Sequence, residues 1–347
     1  MHKEAKIAIV GCGAITQSIH LPAALRSRKI KLVALVDSRI ENAKDLATMF
    51  SLDCTISDKV SNIIDDVDGV LIATPNHTHY PIAAAALEKS VPVLIEKPIT
   101  TKYHDAIKLC ELAQKNNTFI SVGYRTRYFP SVLMMKQLLD KAFFGKIKHF
   151  HYEFGSRGGW APVSGYNLDR QMSGGGVLVV SGTHFLDRML FWFGEPKKMI
   201  FRDDSYGGVE ANCKAELFFE NNLGEFTGTF LMSKTTKLKN KFTLDTEKYH
   251  CELGESESEK IIVFPKNDLG MKMELLSNTL NQNQKPKDYF QVQLDEFADN
   301  INQKGKVTVD GWFAARSIKL IEEMYANRLQ LEEPWCLYRK KVVKENV

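Results

Sequence analysis

Two short segments carry residue types suited to moving a proton at a carbon-bound hydroxyl. The first is Glu96-Lys97-Pro98, which directly follows the apolar Val93-Leu94-Ile95. A lysine emerging from such a strand into a half-buried cleft loses solvation of its charged form. Its pKa then falls, and the amine can exchange a proton with a substrate hydroxyl. Glu96 offers the opposite reading, an ion pair that keeps Lys97 charged. The second segment runs from Gly174-Gly175-Gly176 through an apolar stretch to His184 and Asp187. At the i+3 spacing Asp187 can reach the imidazole and orient it, and an oriented histidine can polarise or deprotonate a carbinol. A histidine among Val, Leu and Phe is equally the description of a satisfied core residue.

Removing hydride from a carbinol requires an acceptor, and the N-terminus supplies a place for one. The run Ile7–Val10 leads into Gly11-Cys12-Gly13-Ala14-Ile15-Thr16 and then a helical segment. Gly11 permits the tight turn, Gly13 lets a pyrophosphate approach the backbone, and the helix start offers free N–H groups and its positive dipole end. The third glycine of this fingerprint is replaced by Thr16, so the helix is expected to pack slightly farther from the strand. Asp37 ends the next strand, 26 residues after Gly11, where its carboxylate can accept both ribose hydroxyls of an adenosine. That charge repels a 2′-phosphate and favours NAD over NADP. Ser38 and Arg39 could hold such a phosphate if Asp37 turned away, and Asp37 also reads as a plain end-of-strand cap.

The elements that must position these groups are legible as pattern. Apolar runs at Ile7–Val10, Leu32–Val36, Val70–Ala73, Val91–Ile95 and Phe119–Val122 alternate with amphipathic stretches at Glu41–Phe50, Tyr80–Lys89 and Tyr103–Asn116. This is the grammar of an α/β fold, a doubly wound parallel Rossmann sheet covered on both faces, over residues 1–125. From 126 to 335 the pattern changes to an α+β domain with a large, open, mostly antiparallel sheet. Its expected strands are Ile147–Phe154, Ala215–Phe219, Glu225–Leu231, Phe242–Asp245 and Ile261–Phe264. Its expected helices begin near Pro130, end near Phe193, and close the domain at Phe290–Asn302 and Gly311–Asn327, with Lys266–Lys287 the loosest stretch.

Bulk properties exclude several classes. The 347 residues are 44% hydrophobic and 25% charged, a globular composition. Net charge is +4, and a basic tail over 336–347 (Arg339, Lys340, Lys341 and Lys344 against Glu345) supplies +3 of it. The nearly neutral body gives no footprint for nucleic acid or an anionic membrane. Met1–Lys6 is polar and lacks a signal-peptide core, and no apolar run reaches membrane-spanning length. Six cysteines lie scattered without a C-x-x-C pair, so neither a disulfide framework nor a metal site is expected. The expected setting is a reducing cytoplasm.

Further residues frame the crevice. Thr74, Pro75, Asn76 and His77 would border the nicotinamide side, while His79 reads as a cap or a solvent-facing residue. Tyr124, Arg125 and Arg127 offer hydroxyl and guanidinium donors to a substrate, where an arginine can grip a carboxylate or phosphate or simply form a surface ion pair. Trp160, within Gly158–Pro162, together with Tyr166 and Arg170, can stack on or hold a sugar ring or anchor a loop.

Taken together these residues resemble the Gfo/Idh/MocA family, the glucose–fructose oxidoreductases and inositol dehydrogenases. The resemblance covers Val10–Ile15 with His20-Leu21-Pro22, Ala73–His79, Glu96-Lys97-Pro98, Val122–Arg127 and the Gly-rich segment ending in His184-x-x-Asp187. It implies that Lys97 contacts the reacting hydroxyl and that His184 is the acid/base or a substrate ligand. The substrate it implies is a sugar, cyclitol or nucleotide sugar held by the second domain. It further implies a homodimer or homotetramer through the open sheet face. One position departs: many such dehydrogenases carry an aspartate four residues before the histidine, and here that residue is Val180. Two other readings therefore stand beside a dehydrogenase: redox-neutral, NAD-assisted glycoside cleavage or epimerisation, and a non-catalytic NAD-binding regulator.

Overall fold

The computed structural model describes residues 3–158, 165–256, 259–268, 270–277, 288–303 and 305–332. The apolar runs of the first third become six strands: β1 (Ala5–Val10), β2 (Ile30–Val36), β3 (Thr55–Ser57), β4 (Gly69–Ile72), β5 (Val93–Ile95) and β6 (Ile120–Val122). Every pairing is parallel, in the order β3-β2-β1-β4-β5-β6. Four helices connect them: α1 (Leu21–Arg26), α2 (Ile40–Met49), α3 (His79–Glu88) and α4 (Tyr103–Lys115). β4 and β5 are buried at every residue, which is why their sequences read as unbroken apolar runs rather than alternation; β6 is as deeply buried but carries Ser121 at its centre. β3 escaped the sequence pattern because three residues, two of them hydroxylated, carry too little apolar signal. Pairing with Ala34–Val36 of β2 makes it a strand.

Strand order reverses between β1 and β4, so the loops after β1, β4, β5 and β6 share one carboxyl edge. In such sheets the crevice at that switch point holds the ligand.

The rest of the chain builds α5 (Pro130–Asp140), β7 (Ile147–Gly155), α6 (Arg170–Ser173) and α7 (Thr183–Phe193). It continues with β8 (Lys198–Asp203), β9 (Asn212–Asn221), β10 (Gly224–Ser233), β11 (Lys241–Thr246), β12 (Tyr249–Gly254), β13 (Lys260–Pro265) and β14 (Met273–Leu276). It closes with α8 (Tyr289–Ile301), α9 (Gly311–Ala326) and β15 (Leu329–Gln330). Nine strands form one sheet, β14-β13-β12-β11-β7-β10-β9-β8-β15, antiparallel except at β7/β10 and β8/β15. Burial alternates along β11 and β13, as expected for a sheet covered on one face only. The basic tail lies outside the described residues.

The covered face receives α7. Phe185 stacks on Tyr152 with centroids 4.0 Å apart, Phe193 on Phe150 at 4.9 Å, and Trp192 leans on Phe242 at 4.9 Å. Such aromatic pairs add about 0.5–1.5 kcal/mol each beyond their buried area, so α7 is a firm platform. The last two helices return to the first sheet. Phe297 of α8 packs on Gly69 of β4, Lys29 pairs with Asp299 at 2.6 Å, and the Val122 N–H donates to Val309 just ahead of α9. Among the described residues no helix is long and apolar enough to cross a membrane, and no group of side chains could hold a metal ion.

Candidate active site

The first turn is built as the glycine pattern requires. Gly11 has φ +99°, and a Cβ there would lie 2.5 Å from the Ala73 carbonyl oxygen, so only glycine fits. A Cβ at Gly13 would meet nothing within 4 Å, so the backbone there fronts open space, as a cradle for a pyrophosphate must. Ala14 and Ile15 are exposed at the start of the helix. Thr16 is buried, donates its hydroxyl to the Gly11 carbonyl at 2.5 Å, and opens a π-helical turn, Thr16–His20, ahead of α1. The wider turn accommodates the side chain where a third glycine is missing. Asp37 accepts the Cys12 N–H at 2.8 Å, the Arg39 N–H at 2.9 Å and the Asn42 amide at 3.2 Å. Its carboxylate is thus fixed beside the glycine turn, with Ser38 and Arg39 exposed next to it. These features fit a dinucleotide.

At the end of β5, Glu96 makes no direct contact with the lysine amine and acts on it only through its charge. Its Oε1 lies 2.8 Å from His20 Nε2, and its Oε2 accepts the backbone N–H of Lys97. Burial opposes its ionisation, but His20 and Lys97 outweigh that and hold the carboxyl below its ordinary range. Lys97 Nζ instead donates to the Val180 carbonyl at 2.8 Å. Val180 lies in a second π-helical turn, Leu178–Gly182, which runs directly into α7, so the amine from β5 docks one turn ahead of His184. Burial lowers the Lys97 pKa; Glu96 opposes, while the charges of Arg125 and Lys234 push it further down. Burial also drives His184 well below its usual value, helped by Lys97, Arg125 and Arg188. Its imidazole is neutral, edge-on to Tyr124 at 6.0 Å, with Nδ1 buried and unpartnered among the described residues.

Both halves of the chain match models of known families. Residues 5–124 match an oxidoreductase family with an NAD-binding Rossmann fold, and residues 132–249 match the Gfo/Idh/MocA C-terminal domain. The chain belongs to the Gfo/Idh/MocA family. Among its relatives is D-glucoside 3-dehydrogenase of Escherichia coli, 26% identical over 211 residues, covering 60% of this chain and 60% of that protein. Another is the rhizopine catabolism protein MocA of Rhizobium meliloti, 29% identical over 194 residues, covering 55% of this chain and 57% of that one. The matches thus span less than two thirds of these relatives' lengths. The fold is also that of an aldose-aldose oxidoreductase from Caulobacter crescentus, with a TM-score of 0.81 at 22% identity over 94% of this chain and 97% of that one.

Within this Gfo/Idh/MocA frame, several side chains are used differently from the expectation. Asp187 does not reach the imidazole. Its Oδ1 accepts from Arg127 at 3.1 Å, and that guanidinium is sandwiched 3.7 Å from the Phe191 ring and 4.5 Å from Phe313. Arg127 is therefore a buried strut rather than a substrate donor. Burial, only partly offset by Arg127, raises the Asp187 carboxyl to about 6. Tyr124 is likewise fully buried, its hydroxyl 2.8 Å from Ser317 of α9, so it backs His184 instead of facing substrate. Arg170 donates to the Gly208 carbonyl and stacks on Tyr325, which makes it an anchor.

His79 neither caps nor faces solvent. It is buried with its ring nitrogens 2.8 Å from the Pro98 carbonyl and 2.9 Å from that of Thr74, tying the loop after β4 to the lysine loop. Asn76 is also buried, and its amide donates to Ser173 across the domain boundary, while Thr74 and Pro75 are half-buried and His77 is exposed. Arg125 is half-buried over Phe290 and Phe129, and Tyr166 lies within reach of the Glu96 charge. Trp160 lies outside the described residues.

Three participants carried no usable sequence signal of their own. His20 appeared only as part of a motif, and Lys234 is indistinguishable in sequence from a surface lysine. Glu210 precedes β9 and is fully buried. It accepts the N–H groups of Gly176 and Leu178 at 2.9 Å each and the Tyr325 hydroxyl at 2.8 Å. A Cβ at Gly176 would sit 2.0 Å from the Glu210 carbonyl oxygen, so this clasp explains the glycine.

Two measurements test these assignments. Arg127→Met strands a buried carboxylate and is expected to cost about 3–5 kcal/mol in urea unfolding, most of it recovered in the Arg127→Met/Asp187→Leu double variant. A double variant no more stable than the single would refute the strut role. Glu210→Ala leaves three buried donors without an acceptor and should cost about 2–4 kcal/mol. Unchanged stability would show that the clasp is not formed.

Proposed function

We propose that this protein is an NAD(H)-dependent oxidoreductase acting on a CH–OH group of a sugar, cyclitol or nucleotide sugar. The observation that carries the reading is the Lys97 Nζ contact with the Val180 carbonyl, which sets an amine of depressed pKa and a neutral imidazole along one stretch of helix. Names among the relatives, D-glucoside 3-dehydrogenase and inositol 2-dehydrogenase 4, agree with this substrate class. Gly11, Gly13, Ala14 and Ile15 would hold the pyrophosphate. Asp37 would hold the adenosine ribose and disfavour a 2′-phosphate, which selects NAD over NADP. The loop Thr74–His77 and the Glu96–Lys97 end of β5 would border the nicotinamide.

Bound nicotinamide supplies the hydride acceptor. In the oxidative direction Lys97, in its neutral form, takes the hydroxyl proton as the carbinol becomes a carbonyl. His184, which burial keeps uncharged, hydrogen-bonds the same oxygen and steadies it. Both groups are favoured in their neutral forms by the low-dielectric crevice and by surrounding positive charge. Val180 contributes a backbone acceptor that directs the amine, where a carboxylate would have supplied a second titrating group.

Lys97→Met should lower kcat by about 10²–10⁴-fold with NADH affinity nearly unchanged, read by sugar-dependent absorbance and by cofactor fluorescence titration. The wild-type oxidative rate should rise with pH through the Lys97 ionisation, which lies below the 10.5 of an ordinary lysine. Loss of NADH binding in the variant, or a retained rate, would overturn the role.

Self-association is assigned to the uncovered face of the second sheet. It is presented around His149, His151, Thr227, Thr229 and Leu231, none of them buried. His149 and His151 already engage Thr229 across β7 and β10 at 3.2 and 2.8 Å, giving a preformed surface. Leu231→Glu should convert a sedimenting dimer or tetramer to monomer; a monomeric wild type would remove the assignment.

A further inference from the structure

His20 is buried and takes no part in the hydride and proton transfers. It closes the π turn that follows the glycine turn, and it is only 2% exposed. Its ring stands edge-on to Phe290 of α8, with centroids 5.5 Å apart. Nε2 lies 2.8 Å from Glu96 Oε1. A carboxylate held in its ionised form only accepts, so Nε2 carries the hydrogen of this bond. Nδ1 is buried and has no partner among the described residues, which leaves Glu96 as the polar anchor of the ring.

Glu96 passes that contact on. Its second oxygen accepts the Lys97 N–H at 3.1 Å, so one carboxylate spans the imidazole and the main chain of the lysine. It has little room to turn, since a Cβ at Gly123 would stand 3.2 Å from Oε2. Burial resists a charge here, and the His20 hydrogen bond is foremost among the contacts that sustain it. Beyond the carboxylate, the Lys97 amine reaches Val180 at 2.8 Å. At the other end, the opening residues of the same π turn bond back to the dinucleotide turn: the Thr16 hydroxyl donates to the Gly11 carbonyl at 2.5 Å and the Gln17 N–H to that of Gly13 at 3.0 Å. A continuous path thus runs from the glycines, through His20 and Glu96, to the amine between the domains.

We propose that His20 is a positioning residue for the lysine: by donating to Glu96 it holds the carboxylate under the Lys97 N–H and so sets where the amine reaches Val180. This rests on the oxidoreductase reading of Lys97. A ring that only filled space against Phe290 would need no nitrogen facing the carboxylate, whereas a bridge needs the donor and can dispense with the ring.

Two substitutions separate donor from ring. His20→Phe keeps the ring and removes the N–H; His20→Gln keeps an N–H donor at similar reach and removes the ring. The bridge is read without turnover, by hydrogen exchange at the Lys97 amide of the full chain with NADH present. The Glu96 and Gly123 amides, bonded to Ile72 and Ile95, serve as internal references. Exchange at Lys97 should quicken about ten-fold in His20→Phe and stay near wild type in His20→Gln. Turnover is read with NAD and D-glucose or myo-inositol. There kcat should fall about 10–100-fold in His20→Phe with NADH affinity nearly unchanged, and most of it should return in His20→Gln. In a Glu96→Leu background His20→Phe should cost nothing further, because the histidine acts through the carboxylate. Unchanged exchange in His20→Phe overturns the proposal, as does damage confined to His20→Gln or full additivity with Glu96→Leu. A wild type that oxidises neither sugar removes the oxidoreductase reading of Lys97, while the exchange rates still decide the bridge.

Discussion

The whole arrangement depends on one hydrogen bond between the two domains, from the Lys97 amine to the Val180 carbonyl. It is possible because the helix leading to His184 is widened into a π turn at this point, where the backbone departs from regular α-helical bonding. The same bond fixes where the amine sits, brings it alongside the imidazole, and withdraws it from Glu96. Everything around it keeps the two partners in place: His20 on Glu96, His79 behind Pro98, and Glu210 at the glycine loop.

Charge is distributed unevenly around that contact. The surrounding frame buries its ions in pairs, Arg127 with Asp187 and Arg188 with Glu255, where each partner offsets the other's lost hydration. Lys97 is held differently, its amine on a backbone carbonyl while the Glu96 carboxylate acts on it only through its charge. Two helices at the crevice begin with a π turn, one after the glycines of β1 and one before His184. The irregular backbone is thus concentrated where ligand would lie, and the aromatic platform beneath α7 bears the packing.

The sequence made the first domain legible because its strands are buried on both faces, and burial of that kind leaves an unmistakable apolar run. The glycine turn and Asp37 stood out because their residue types recur at a given place after a strand, and the structure sets them side by side; Lys97 and His184 stood out as polar residues in apolar surroundings. What escaped was decided by partners distant in the chain. Nothing near Asp187 announces that Arg127 will claim its carboxylate, and nothing near Tyr124 points to Ser317. His79 looked like surface because a helix start usually is; two carbonyls from separate loops made it core. β8, β12 and β14 are strands through pairing with neighbours, and their short alternation was too weak to stand apart from loop.

The return of α8 and α9 to the first sheet has a consequence for how this chain acquires its structure. Phe297 fills the space at Gly69, and Val309 extends the hydrogen bonding of β6, across more than half the sequence. Contacts of such long separation form late, since the intervening chain must be brought round first. The nucleotide-binding half is therefore among the earliest segments made and among the last completed. Until the closing helices emerge it presents an uncovered apolar flank, and the period of greatest exposure to aggregation belongs to the domain that is synthesised first.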